Sequence, residues 1–353
     1  MLGAALTAIE YHLPDAILTS EMLAAEFPEW SVQKIEEKTG ISERHIAAEG
    51  ECASDLGMVA AQNLFESGRC APSDIDYILL CTQSPDYFLP TTACILQDRL
   101  GIPKSAGALD FNLGCSGFVY GVGLAKGLIE THQAAKVLLI TAETYSKFIH
   151  AKDRSVRTIF GDAGAATLIE KADNSEEHLI GPFVYGTDGR GKGNLIVPAG
   201  GMRTPSSQES AIAVEDCNGS YRSRNNLFMD GAEIFSFTLR EIPDCVNKLL
   251  ERSGCTMDDV DLFIFHQANR YMLEHLRKKL RIPSQKFYIG MQHCGNTVSS
   301  SIPIAIKQAV CESLIKGNAR VAIAGFGVGY SWAAAMIRIA TGLVSRVGPT
   351  ATS

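Results

Sequence analysis

An internal repeat constrains this chain more than any other feature. Asp74-Ile75-Asp76-Tyr77-Ile78-Leu79-Leu80 is matched by Asp259-Val260-Asp261-Leu262-Phe263-Ile264-Phe265, each an apolar run opening after an acidic turn. Leu100-Gly101-Ile102-Pro103 is matched by Leu280-Arg281-Ile282-Pro283, and Lys136-Val137-Leu138-Leu139-Ile140 by Arg320-Val321-Ala322-Ile323-Ala324. The offsets are 185, 180 and 184 residues, and the matches keep their order. A near-constant period marks a duplicated unit. The expectation is two similar halves, 1–172 and 173–345. In both, apolar β-branched runs alternate with amphipathic stretches, so helices are expected over 60–65, 91–100, 117–129, 272–280 and 302–314. Such alternation argues for an α/β chain with mixed sheets covered by helices. The stretch 189–226 is rich in Gly, Ser, Asn and Arg with little periodicity. It reads as a loop-rich insertion, either a cap near the site or a partner-facing segment. The tail after Ala340 reads as loosely held.

The same repeat relates the chemically interesting residues. It carries Cys115 to Asn296, an offset of 181, and Cys81 to His266, an offset of 185. The segment Asp110-Phe111-Asn112-Leu113-Gly114-Cys115-Ser116-Gly117-Phe118 reads as strand, tight turn and helix. A thiol at that turn feels the positive end of the helix dipole, which favours the thiolate. Phe265-His266-Gln267-Ala268-Asn269 and Gly295-Asn296-Thr297 offer partners. A Cys with a distant His and Asn is the pattern of covalent acyl transfer. If the halves pack about a pseudo-twofold axis, these turns meet at a junction where α/β folds bind ligands.

Composition removes several other classes. The chain has 353 residues, 46% hydrophobic and 20% charged, enough for a sizeable core. A formal net charge of −7 and no long basic block argue against nucleic-acid binding. No apolar run reaches the roughly 18 residues that a membrane span needs. The first residues lack a basic region and no signal peptide is expected. Ten cysteines are scattered without a Cys-x-x-Cys pair, which argues against a zinc site and a disulfide scaffold and for a reducing cytoplasm.

Together these segments resemble the condensing enzymes of the thiolase superfamily, most closely the β-ketoacyl-acyl-carrier-protein synthase III family. The matching motifs are Thr39-Gly40-Ile41-Ser42-Glu43-Arg44-His45, Phe160-Gly161-Asp162-Ala163-Gly164-Ala165, His266-Gln267-Ala268-Asn269, Gly295-Asn296-Thr297 and Phe326-Gly327-Val328-Gly329. The resemblance implies a thiolase-like fold, two duplicated βαβαβαββ halves in a five-layered α-β-α-β-α sandwich. It implies an acyl-Cys at Cys115, with His266 and Asn296 serving decarboxylation of a malonyl thioester. It further implies substrate contacts at Arg154, Asn269, Gly231, Phe326 and Gly327, and at Leu89 reaching across a homodimer interface. Arg270, Lys278 and Lys279 would dock an acyl carrier protein. The substrates would be an acyl-CoA and a malonyl thioester, with no cofactor and no metal.

This chain departs from the family at several positions. The Trp that stacks on the adenine of coenzyme A has Ile35 at its expected place, with Trp30 nearby. A Leu, Leu89, stands where the acyl pocket often has Phe, Val328 replaces a loop glycine, and Cys294 replaces a His or Tyr before Gly-Asn. A specialised condensation and a non-decarboxylating acyl transfer remain open on the triad alone. A thiolase would want a second Cys near the Phe326–Gly329 loop, which has none. A non-catalytic partner subunit would have lost one of the three residues. A papain-like protease would place its Cys near the N-terminus and would not be duplicated.

Overall fold

The computed structural model describes residues 3–172, 180–339 and 343. The expected loose tail, apart from Leu343, and the expected ends of the second half at 173 and 345 lie outside these residues.

The first large sheet is built from β1 (Gly3–His12), β4 (Tyr77–Cys81), β5 (Gly107–Phe111), β6 (Lys136–Glu143) and β7 (Ala163–Ala172), in the order β1-β7-β6-β4-β5. The second contains β8 (Ile180–Thr187), β13 (Leu262–Phe265), β14 (Arg320–Gly327) and β15 (Ser331–Arg338), in the order β8-β15-β14-β13. In each sheet the two chain-terminal strands run antiparallel and the inner ones parallel. A parallel bridge from Phe263 to Phe287 stands where β5 stands in the first sheet. The two sheets thus have one strand order.

Helix α5 (Gly117–Glu130) packs on strands of both sheets, and α9 (Ser301–Cys311) packs on β1 and β7 of one and β13 of the other. Both are apolar nearly all round, as helices must be when sheets cover both sides. The approach is close: a Cβ on Gly121 would stand 2.6 Å from a methyl of Leu139. Helices α3 (Ala53–Glu66) and α4 (Thr92–Arg99) cover the outer face of the first sheet. The outer face of the second is covered by α7 (Gly231–Ser253), with α8 (Arg270–Leu280) packed beside it. Five layers result. Strands covered on both faces read as apolar runs, as in Ile78–Cys81 of β4 and 137–140 of β6.

The structure adds elements the periodicity does not signal. Strands β2 (Ala16–Thr19) and β3 (Glu43–Ile46) pair around the short helices α1 (Ser20–Glu26) and α2 (Val32–Thr39). Helix α6 (Arg154–Arg157) is a single turn. The 23-residue α7 carries Pro243 inside it, and a proline normally marks a helix end. Its ends are nonetheless firm. Asp230 accepts from the backbone N–H groups of Ala232 and Glu233, and Gly254 closes it with φ 61°. Between 189 and 226 the chain is mostly turns, with the two-residue strands β9 (Leu195–Ile196), β10 (Val214–Glu215) and β11 (Tyr221–Arg222); β12 (Phe228–Met229) follows and pairs with β9.

Candidate functional site

Cys115 stands four residues past the end of β5 and two before α5, on the turn read from the sequence. His266 directly follows β13, and Asn296 precedes α9 on the turn equivalent to that of Cys115. The three side chains line one cavity of about 280 Å3. All three are buried, with 5%, 2% and 4% of their surface exposed. Gly231, Asn269, Phe326 and Gly327 line the same cavity.

The backbone packs tightly around the sulfur. A Cβ on Gly327 would lie 3.0 Å from Cys115 Sγ, and one on Gly325 would lie 2.6 Å from the Cys115 carbonyl oxygen. Only glycine lets this strand pass the thiol. Burial, with the carboxylate of Glu143 second, pushes the thiol up to about 12, and its own backbone N–H works the other way. Burial therefore favours the neutral thiol in the resting site.

His266 is held by its backbone N–H to the carbonyl of Ala324, 2.8 Å, and by Nδ1 against the hydroxyl of Ser301, 2.7 Å. That leaves Nε2 as the ring nitrogen for the cavity. Burial lowers the imidazole to about 3, so His266 is neutral at physiological pH. Its ring meets Phe326 edge-on, with centroids 5.6 Å apart.

Asn296 is fixed at both ends of its amide. Its Oδ1 accepts the N–H of Val298 at 3.0 Å, and its Nδ2 donates to the carbonyl of Ala268 at 3.3 Å. The Val298 contact assigns the oxygen, and one amide N–H is left over. The backbone of Asn296 is bridged to 159–161: its N–H reaches the carbonyl of Ile159 at 2.9 Å and its carbonyl takes the N–H of Gly161 at 3.0 Å. The buried guanidinium of Arg44 holds the neighbouring Thr158 carbonyl. Asn269 caps α8, its Oδ1 accepting from Met272 N–H at 2.8 Å, so its amide nitrogen faces other partners.

A second and larger cavity, about 1100 Å3, lies beyond the Phe326–Gly329 loop. Leu195 lines both cavities; Phe326 and Gly327 line the smaller, Val328 and Gly329 the larger. Gln83, Asn112 and Tyr145 belong to its wall.

Some residues named from the sequence lie elsewhere. Leu89 lines neither cavity and is 81% exposed, beside exposed Tyr87 and Phe88. Arg154 is not in the lining; its guanidinium pairs with Glu29 and the carbonyl of Asn218. Ile35 is fully buried in α2, whereas Trp30 is half-buried, with Lys34 Nζ 5.2 Å from its ring centre. Phe265, next to His266 in sequence, does not line the cavity and packs edge-on to Phe263 and Phe287. Arg270, Lys278 and Lys279 are exposed on α8.

Glu143, Ser301 and Gln83 were not found by sequence reasoning. Glu143 had a signal: it is a carboxylate closing an otherwise apolar buried strand. Its oxygens accept from Gln83 N–H at 3.0 Å, Ser84 Oγ at 3.2 Å and Ser299 Oγ at 2.9 Å. Burial raises it to about 8. Ser301 and Gln83 gave no local signal, since their roles come from distant partners.

Two like-ordered sheets with a buried Cys, His and Asn around one cavity define a thiolase-like condensing enzyme. Models of the synthase III family match residues 109–189, described as 3-oxoacyl-[acyl-carrier-protein] synthase III, and residues 250–339, its C-terminal part. The β-ketoacyl-[acyl-carrier-protein] synthase III of Caldanaerobacter subterraneus is 37% identical over 330 residues, 93% of this chain and 95% of that protein. A crystal structure of a 3-oxoacyl-(acyl-carrier-protein) synthase III shares 51% identity with a TM-score of 0.94, covering 96% of this chain and all of that one. The corresponding synthase of Burkholderia xenovorans shares 35% with a TM-score of 0.87, covering 98% and 97%. The chain belongs to the β-ketoacyl-acyl-carrier-protein synthase III family.

Proposed function

We propose that this enzyme joins an acyl-CoA to malonyl-acyl carrier protein with loss of CO2, giving 3-oxoacyl-acyl carrier protein in fatty-acid biosynthesis. The observation that carries the residue assignment is the electrically neutral pair around the Cys115 cavity, an imidazole and a fixed amide.

In the first half-reaction the Cys115 sulfur attacks the acyl thioester and the coenzyme A sulfur leaves. The thiol proton passes to the departing thiolate. No standing thiolate is needed, because one thiol replaces another. The backbone N–H of Cys115 and one from the Phe326-Gly327-Val328-Gly329 loop are the donors proposed for the oxyanion. Losing such a donor typically costs roughly 3 kcal/mol.

In the second half-reaction the malonyl carboxylate leaves as CO2 and its bonding electrons form an enolate. The enolate carbon attacks the acyl group, the C–S bond to Cys115 breaks, and the departing Cys115 sulfur takes up one proton from solvent to return to the thiol. The enolate oxygen needs two hydrogen-bond donors. His266 supplies Nε2–H when Ser301 donates its hydroxyl proton to Nδ1, and Asn296 supplies its free amide N–H. A carboxylate at either place would repel the developing charge. Phe326 keeps this end apolar, which disfavours the charged malonate relative to CO2.

The thioesters supply the activation, so the reaction uses no cofactor. Trp30 with Lys34 and Lys38, next to the Glu29–Arg154 pair, offers a stacking face and positive charge for the nucleotide end of coenzyme A. The exposed Tyr87-Phe88-Leu89 tip supports a homodimer in which Leu89 enters the partner's acyl cavity. All ten cysteines are free, in keeping with the cytoplasm. Among the described residues no helix is long and apolar enough to cross a membrane.

The test is condensation with carboxyl-labelled malonyl-acyl carrier protein. One CO2 released per 3-oxoacyl product is expected, and loss of about 100-fold or more in rate for Asn296→Ala. Product formation with the carboxylate retained would contradict the reading.

A further inference from the structure

The two donors proposed for the oxyanion belong to different halves of the chain. Cys115 lies between β5 and α5, whereas Phe326 and Gly327 end β14 and the chain then turns into β15. Bare backbone and one hydrogen bond join the two segments. Gly325 and Gly327 bring β14 against the Cys115 carbonyl oxygen and sulfur, and a Cβ on Gly325 would stand 2.8 Å from Ser116 Cα. The hydroxyl of Ser116 meets that of Ser331 at 2.5 Å. Among the described residues this is the only hydrogen bond between 114–116 and 325–331.

Both serines are buried, and neither lines a cavity. Ser116 stands at the N-cap of α5, where a serine normally turns its hydroxyl onto the first helical N–H groups. Here it makes no such cap, and its oxygen reaches across to the other half. Ser331 opens β15 directly opposite Gly327 in the hairpin register. Neither hydroxyl has another partner among the described residues. The neighbouring Tyr330 is fixed separately. Its N–H and carbonyl bond to Asp188 at 2.8 and 3.0 Å, its hydroxyl accepts from Asn194 Nδ2 at 2.6 Å, and its ring stacks on Phe237 with centroids 4.0 Å apart. Tyr330 thus ties the hairpin to its own half, and Ser331 ties it to the turn of the nucleophile.

We propose that Ser116 and Ser331 are positioning residues that set the distance between the Cys115 N–H and the loop N–H, and with it the fit of the oxyanion. Such donors act only when both converge on one oxygen. A misplacement of about 1 Å can cost roughly 100-fold in rate. The proposal rests on Cys115 being the nucleophile and on the loop supplying the second donor.

The test compares the intact chain with Ser116→Ala, Ser331→Ala and the double variant. Acylation of Cys115 is followed by intact mass, using the faster of acetyl-CoA and octanoyl-CoA. Each single variant should show a saturating rate about tenfold lower, the worth of one hydrogen bond, at an unchanged half-saturating concentration. The double should be no slower than either single, because one shared bond is lost in all three. Each single also leaves a buried hydroxyl unpaired and should melt lower, whereas the double removes both hydroxyls and should regain most of that loss. A rate that stays low while the melting temperature returns marks positioning, not stability. Unchanged rates in the singles, losses that multiply in the double, a change in half-saturation alone, or a rate that recovers with stability would each overturn the proposal and leave Cys115 as the nucleophile. No acylation of wild type by either donor would overturn both the proposal and the reading beneath it.

Discussion

At Cys115 two local effects oppose each other, and their sizes decide the outcome. A helix N-terminus is worth up to ~2 kcal/mol in partly buried geometry, or about 1.5 pKa units. Burial and the Glu143 carboxylate act against it, and the thiol ends near 12, above its ordinary 9. The backbone N–H of Cys115 works against the rise without reversing it. Glu143 gives a direct handle on this balance. Its carboxyl is raised from the ordinary carboxylate range to about 8. A group raised on folding contributes its stability below its unfolded pKa and loses it as pH rises through the folded value. Wild type should therefore lose melting temperature relative to Glu143→Gln between pH 5 and 9, and Cys115 should alkylate faster in the variant at pH 8. Parallel melting curves across that range, with equal alkylation rates, would contradict this role. The sequence makes the triad legible because each member follows an apolar run at repeated spacing. Protonation states were not legible, since they depend on what surrounds each group.

Elements were legible to the extent that one face differed from another. The central helices α5 and α9 and the inner strands are apolar runs bounded by turn residues, and the sequence marks them. Helix α7 was hidden because Pro243 breaks the local pattern, while its apolar stripe of Ile234, Phe237, Ile242, Val246 and Leu249 emerges only over six turns. The short helices α1 and α2 have few buried residues each, too few for a period. Helix α8 shows a two-sided design. Met272, Leu273, Leu276 and Leu280 are buried, and Arg270, Lys278 and Lys279 face solvent. Arg277 is engaged with Glu274 at 2.8 Å, and Lys279 reaches the carbonyl of Leu239, leaving Arg270 and Lys278 the freer charges. Since the whole chain carries −7, an acidic carrier protein needs such a local patch. Charge reversal at Arg270 and Lys278 should raise KM for malonyl-acyl carrier protein about tenfold at low salt and leave KM for malonyl-CoA unchanged. An equal effect on both would remove docking from α8.

For the whole molecule the repeat in the sequence corresponds to one strand order used twice, β1-β7-β6-β4-β5 and β8-β15-β14-β13. The strand-to-helix turns of both sheets converge on the small cavity, which explains why Cys115 and Asn296 are 181 residues apart in sequence yet line one wall. What the repeat does not encode is whatever lies outside the duplicated unit. The insertion after β8 lines the larger cavity through Leu195, Val197 and Ala199. The Tyr87-Phe88-Leu89 tip exposes three consecutive large apolar side chains, at 62%, 79% and 81%. Light scattering should give twice the 38.1 kDa chain mass, and Leu89→Asp should shift it toward the monomer. A wild-type monomer at micromolar concentration would contradict the dimer.

The central claim is that Cys115 carries the acyl group, and intact-protein mass after incubation with acetyl- and longer acyl-CoAs tests it most directly. The account predicts a gain of one acyl group on wild type and none on Cys115→Ala. A gain that survives in Cys115→Ala would contradict it.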